Sequence, residues 1–156
     1  MSVSTNTTGI HHISITVNNF DVSKEFYTKL FGYLGGQVLM EMRGPPHKHP
    51  DGRMMLFAFG TFMIGVWEAA PENRDKVFDR YSVGLHHFAL AVESRAAIDE
   101  VHRLLVADGV NILDAPAEYP YAPGYYAVFF KDPDGIKYEI VTHPRLGLDA
   151  GSDPAS

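Results

Sequence analysis

The nine residues "GIHHISITV" (9–17) return as "GLHHFALAV" (84–92), and this repeat constrains the fold more than any other feature of the chain. The offset is 84 − 9 = 75 in a chain of 156 residues, so the repeat divides the sequence into near halves. Gly, both His and the final Val are identical, and the positions between them stay apolar or small. Each copy is short and alternates in character, which is the signature of a half-buried strand. Self-similarity at a fixed period signals repeated structural units.

The segments after each copy run in parallel. "FDVSKEFYTKLFGYLGG" carries Val22, Phe26 and Leu30 at helical spacing and stops at Gly35-Gly36. "SRAAIDEVHRLLVADG" carries Ala97, Ile98, Val101 and Leu105 on the same kind of stripe and stops at Gly109. Each half continues with an extended segment ("QVLMEM", "VNILDA") and a Pro-rich loop ("RGPPHKHPDG", "PAEYPYAPG"). Each ends in a two-strand hairpin, "RMMLFAFGTFMIGVWEA" and "YYAVFFKDPDGIKYEIVTH", the second turned by Asp132-Pro133-Asp134-Gly135. Both halves therefore read β-α-β-β-β. The expected fold class is α+β, with two βαβββ modules in tandem (9–70 and 83–143, linker 71–82). They form one domain over 9–143, with tails at 1–8 and 145–156. A unit of about 60–70 residues is marginal alone, so the modules are expected to share a sheet or to pack their sheets together.

Composition narrows the function. The formal charge is −6 and no basic cluster stands out, which argues against nucleic acid as a partner. There is no cysteine, so disulfides, thiolate metal sites and a Cys nucleophile are excluded. "MSVSTNTTG" lacks a signal-peptide pattern and no apolar run approaches a membrane span, so a cytoplasmic protein without a membrane partner is expected.

Strand alternation sorts the histidines. His12 shares a face with Ser14 and Thr16, and His87 with Ala89 and Ala91, whereas His11 and His86 fall in phase with larger apolar residues. The face with small side chains leaves room for a ligand, so His12 and His87 are the candidates and His11 and His86 are expected to point away. The last strand of each half holds a carboxylate in apolar context, Glu68 and Glu139. A buried carboxylate costs several kcal/mol unless paired or coordinated. The His-to-Glu spacings are 68 − 12 = 56 and 139 − 87 = 52. Two imidazoles and two carboxylates suit one divalent ion such as Ni, Zn, Co, Mn or Fe, with open positions for Lewis-acid chemistry. Trp67, Tyr121, Tyr125 and Tyr126 are candidates for an aromatic substrate pocket, chief among them Trp67, Tyr121 and Tyr126. The two Pro-rich loops are candidate gates. His47 and His49 form a His-x-His pair in the first of them.

On "HHISITV", "EFYTKLFGY", "GVWE", "HHFALAV" and "YYAVFFKDPDGIKYEIV", the sequence resembles the vicinal oxygen chelate superfamily, which includes glyoxalase I, over nearly all of residues 9 to 143. The resemblance implies paired βαβββ modules whose curved, barrel-like mixed sheet cups a divalent metal. It implies metal ligands at His12, Glu68, His87 and Glu139, and catalytic proton transfer by Glu139 or Glu68 through a metal-stabilised enediolate. It also implies a small-molecule substrate and a homodimer, in many small members with the site between subunits. Keeping both glutamates resembles glyoxalase I and related isomerases and lyases. Extradiol dioxygenases and fosfomycin-resistance members use two His and one Glu. Thr16 and Glu72 stand where glutathione-using members carry an Arg and an Asn, so a substrate other than a glutathione adduct is expected. The alternatives are an extradiol-type Fe(II) dioxygenase and a metal-free, bleomycin resistance-like drug-binding protein.

Overall fold

A computed structural model of the protein describes residues 7, 9–44 and 51–142. The chain forms two compact units, 1–78 and 79–156. The first contains β1 (His12–Val17), α1 (Phe20–Tyr33), β2 (Gln37–Arg43), β3 (Arg53–Phe59) and β4 (Phe62–Glu68). The second contains β5 (Phe88–Ala91), α2 (Arg95–Ala107), β6 (Asn111–Glu118), β7 (Tyr126–Lys131) and β8 (Lys137–Thr142). Both read β-α-β-β-β, as the repeat predicts. A single 3-10 turn, Pro71–Asn73, lies between β4 and β5.

Each unit has its own four-stranded sheet, ordered β1-β4-β3-β2 and β5-β8-β7-β6. The first strand pairs in parallel with the last, which the intervening helix permits, and the other neighbours are antiparallel. Among the described residues each sheet ends in two edge strands, and neither closes on itself into a barrel.

The helices are capped from the sequence. Asn19 accepts a hydrogen bond from Val22 N at 3.2 Å, and Ser94 accepts one from Ala97 N at 3.2 Å. Gly35 and Gly109 take φ of 78° and 72° just past the helix ends, a conformation that only glycine enters at no steric cost. In α2 the buried stripe is Ile98, Val101 and Leu105, as expected. In α1 it is Phe20, Ser23, Tyr27, Leu30 and Phe31, while Val22 is 49% exposed. The larger aromatic surface of Tyr27 and Phe31 wins the buried face; full burial of such a side chain contributes roughly 1.5–3 kcal/mol.

Each helix covers one sheet face, and parity decides which side chains lie there. In the first unit Ile13, Ile15 and Val17 of β1 pair with Ile64, Val66 and Glu68 of β4, in line with buried Met55 and Phe57 of β3. In the second unit Leu90, Val128, Phe130, Tyr138 and Ile140 form the equivalent buried layer. The opposite faces carry His12, Ser14 and Thr16 in one unit and His87, Ala89 and Ala91 in the other, as alternation requires.

The second Pro-rich segment departs from the expectation of a loop. Pro116, Ala117 and Glu118 belong to β6. Pro116 is tolerated because β6 is an edge strand, and the register shifts between Asp114 and Ala117 beside it. In the first loop, His47 and His49 lie outside the described residues. Among the described residues no helix is long and apolar enough to cross a membrane.

Candidate functional site

The second unit concentrates polar chemistry on the sheet face away from α2. Glu139 sits at the centre of β8, paired with Ala89 of β5 and Phe129 of β7, and is 3% exposed. His87, two residues before Ala89, projects from the same face, and its Nε2 lies 3.3 Å from Glu139 Oε2. The Tyr125 hydroxyl donates a short hydrogen bond to the other oxygen, Glu139 Oε1. Burial and this hydrogen bond push the Tyr125 phenol well above its usual pKa, so it remains a proton donor to the carboxylate. Small neighbours make the arrangement possible: Ala89, Ala91 and Ala127 leave the space that the imidazole, carboxylate and phenol occupy.

His86 is not turned away from this site. His86 Nδ1 and His87 Nδ1 lie 2.6 Å apart, so one ring donates to the other. The His87 tautomer is thereby coupled to His86, and Nε2 is left to face Glu139. His11 Nδ1 and His12 Nδ1 repeat the contact at 2.8 Å in the first unit. In each pair the two consecutive rings meet edge to face.

The aromatic wall beside Glu139 consists of Tyr119, Tyr121, Tyr125 and Phe129. The Tyr119 and Tyr121 rings are stacked, and Tyr125 and Phe129 meet them edge on. Tyr121 is 69% exposed at its rim. Tyr126, expected in the pocket, faces the other way: its hydroxyl donates to Asp99 of α2 and Arg95 lies over its ring. Its neighbour Tyr125 has the parity that reaches Glu139. Parity with Ala127 and Phe129 was the available signal for Tyr125.

Among the described residues the first unit has no equivalent cluster. Val17, not His12, pairs with Glu68, which lies on the helix-facing side of β4, opposite in parity to His12. Its carboxylate is held by Arg53, whose Nη2 and Nε lie 3.0 and 3.1 Å from Oε1 and Oε2, and by Arg74 Nη2 at 3.1 Å. The Arg53 backbone N–H donates to it as well, and Asp21 binds the same guanidinium. The Arg53 hydrogen bond, above all, holds the Glu68 carboxyl below its ordinary pKa. Glu68 is therefore an ion-paired residue on the far face, and the expectation that it joins His12 is corrected.

The register identifies the true counterpart of Glu139. Ala89 follows His87 by two and pairs with Glu139; Ser14 follows His12 by two and pairs with Gly65. The spacing 65 − 12 = 53 is close to 139 − 87 = 52. No side chain fits at Gly65 without displacement, since a Cβ there would lie 2.8 Å from Ser14 Oγ and 2.9 Å from Trp67 Nε1. Trp67 shares the His12 face, and Thr16 pairs with it. Glu72 lies in the 3-10 turn and is exposed.

The donors present supply two positions for a divalent ion, His87 Nε2 and a Glu139 oxygen, with no thiolate. Among the described residues no group of three or more His, Asp or Glu gathers for a metal.

The comparisons with known proteins agree with this fold. The model of the Glyoxalase/Bleomycin resistance protein/Dioxygenase superfamily matches residues 9–140, and the chain belongs to that superfamily. It is similar to the uncharacterized protein YqjT of Bacillus subtilis (strain 168), at 28% identity over 85% of this chain and 97% of that one. A glyoxalase family protein from Enterococcus faecalis superposes with a TM-score of 0.64 at 27% identity, covering 86% of this chain and 98% of the other. A glyoxylase/bleomycin resistance protein/dioxygenase domain from Frankia sp. EAN1pec shares the fold with a TM-score of 0.74 at 24% identity, covering 89% and 100%.

Proposed function

We propose that the chain is a metal-dependent enzyme of this superfamily acting on a small substrate with neighbouring oxygens, and that its chemistry is run from the second unit. The observation that carries the proposal is the buried Glu139 carboxylate, gripped by Tyr125 on one oxygen and faced by His87 on the other. Such a carboxylate has a defined orientation and a proton donor in contact, which general acid–base transfer requires. His87 Nε2 and Glu139 Oε2 would hold a divalent ion, with His86 fixing the imidazole through Nδ1 and Tyr125 fixing the carboxylate. When bound, the ion supplies Lewis acidity toward substrate oxygens. Glu139 takes a proton from the carbon beside a substrate carbonyl and returns it to the neighbouring position, in the manner of a lyase or isomerase. The Tyr125 hydroxyl holds the Glu139 carboxylate in orientation before the first transfer and receives it again after the second. Thr16, where glutathione-using members carry an Arg, favours a substrate other than a glutathione adduct. The homodimer and the part of His12 as a further ligand remain sequence-based elements of the proposal.

A second reading is an extradiol-type dioxygenase using Fe(II). The observation that favours it is Gly65, which leaves one carboxylate where the isomerase pattern needs two. One experiment separates them. Protein loaded in turn with Ni, Zn, Co, Mn or Fe(II) is assayed anaerobically for deuterium exchange beside the carbonyl of small ketols, and aerobically for oxygen uptake with catechols. Exchange without oxygen uptake supports the lyase/isomerase proposal. Oxygen uptake with Fe(II) alone transfers it to the dioxygenase. Failure to bind any of the ions at stoichiometry overturns both and returns the drug-binding alternative.

A further inference from the structure

The face that carries Glu139 also carries two ammonium groups without an ion-pair partner among the described residues. Lys131 of β7 and Lys137 of β8 are directly opposed in the register, one step from Phe129 and Glu139 along their strands. Parity puts both on the site face. Lys137 precedes Glu139 by two residues, or roughly 7 Å along a strand. Its Nζ rests 4.0 Å from the centre of the Phe129 ring, itself the register partner of Glu139. Neither lysine side chain forms an ion pair or hydrogen bond among the described residues. Both are half-buried. The other titratable groups around the pair are His87, His86, on which Lys137 and Arg80 act electrostatically, Glu139, whose oxygens face His87 and Tyr125, and Asp114, exposed on β6 opposite Phe129.

Like charges directly opposed across a strand pair are destabilising. Lysines are often placed on edge strands to block association, but β7 and β8 are the two inner strands of their sheet. The first unit shows that the fold does not require them: the equivalent pair, two residues from Gly65 and Leu56, is Met63 and Ala58. The cations occur only beside the carboxylate and imidazole, in a chain whose formal charge is −6.

We propose that Lys131 and Lys137 form an anion seat next to His87 and Glu139, so that the substrate carries a carboxylate or phosphate group. This assignment rests on the proposed site for the identity of the reacting end and on the lysines alone for the anionic end. Lysine acts as a compact point charge and not as a planar fork, so the seat selects for charge more than for shape. The anionic group sits against the Phe129 edge of the face, and the neighbouring oxygens of the substrate then point along β8 toward Glu139.

Backbone NMR titration of the full chain tests this with three probes: glycolate, inorganic phosphate and the neutral analogue ethylene glycol. Glycolate or phosphate is expected to bind saturably with shifts centred on residues 129–137, the tighter of the two naming the anionic group, while ethylene glycol leaves the spectrum unchanged. Lys131→Gln with Lys137→Gln is expected to weaken anion binding by at least tenfold while leaving the melting temperature equal or higher, since an opposed charge pair is removed. Equal binding by ethylene glycol, no anion binding, or unchanged affinity in the double variant overturns the seat. Zn(II) titration of the same double variant keeps the two proposals distinguishable. Unchanged metal binding with lost anion binding supports the seat, and lost metal binding with unchanged anion binding overturns it. An anion seat that works in a chain binding no metal leaves the seat standing and removes the metal proposal alone.

Discussion

The two units share a fold and differ in what that fold displays. On the face away from its helix, the second unit presents His87, Glu139, Tyr125, Lys131 and Lys137. At the matching positions the first unit presents His12, Gly65, Ala58 and Met63, flanked by Trp67. The first unit places its carboxylate, Glu68, on the opposite side of the sheet, where Arg53 and Arg74 neutralise it. A repeat therefore conserves register and helix packing more tightly than chemistry. One copy keeps a buried carboxylate, imidazole and phenol together while the other keeps only the shape.

The largest expected effect comes from Glu139. Glu139→Gln keeps the volume and removes the charge, and is predicted to abolish turnover, by at least three orders of magnitude, with the fold intact by circular dichroism. A variant retaining a tenth of the activity would break the contrast between the units. Tyr125→Phe removes only the hydroxyl on Glu139 and is predicted to lower metal affinity by about tenfold, since partners that orient a ligand typically contribute 10–100-fold. Tyr126→Phe, one position along, is predicted to leave metal affinity unchanged.

The first unit should respond in stability. Glu68→Gln leaves Arg53 without its main partner and is predicted to cost about 1–3 kcal/mol in chemical denaturation, with activity retained. The sign of its pH dependence follows from the lowered carboxyl pKa. Its contribution is present above the ordinary value of 4.5 and is lost as pH falls through the lower folded value. The stability gap between the native chain and the variant should therefore narrow below about pH 4. Gly65→Ala forces Ser14 or Trp67 to move and is predicted to cost about 1–2 kcal/mol, as overpacking does.

Much of this contrast is visible in the sequence, and strand parity is what makes it visible. Alternation puts His12 and His87 on the sheet face away from the helix, where the register also places them, and the Asp-Pro-Asp-Gly turn joins β7 and β8. The same parity puts Glu68 in phase with Ile64 and Val66, and hence under the helix. That signal is outweighed when Glu68 is judged by its place at the end of a strand that mirrors β8. The counterpart of Glu139 is hidden because it is a glycine, which offers no chemistry to notice. Tyr126 and Tyr125 are likewise separated by parity alone, since both are tyrosines next to one another. The buried stripe of α1 is misjudged because Val22 and Phe26 fit helical spacing as well as Tyr27 and Phe31 do. The contact within each His pair depends on ring geometry at a strand start, which no periodicity encodes.

The central claim is that the reactive carboxylate is Glu139 and not Glu68. Calorimetric Zn(II) titration of Glu139→Gln and Glu68→Gln side by side tests it most directly. Glu139→Gln is expected to lose affinity by about two orders of magnitude, while Glu68→Gln binds as the native chain does. Equal loss in both variants, or loss in Glu68→Gln alone, would contradict it.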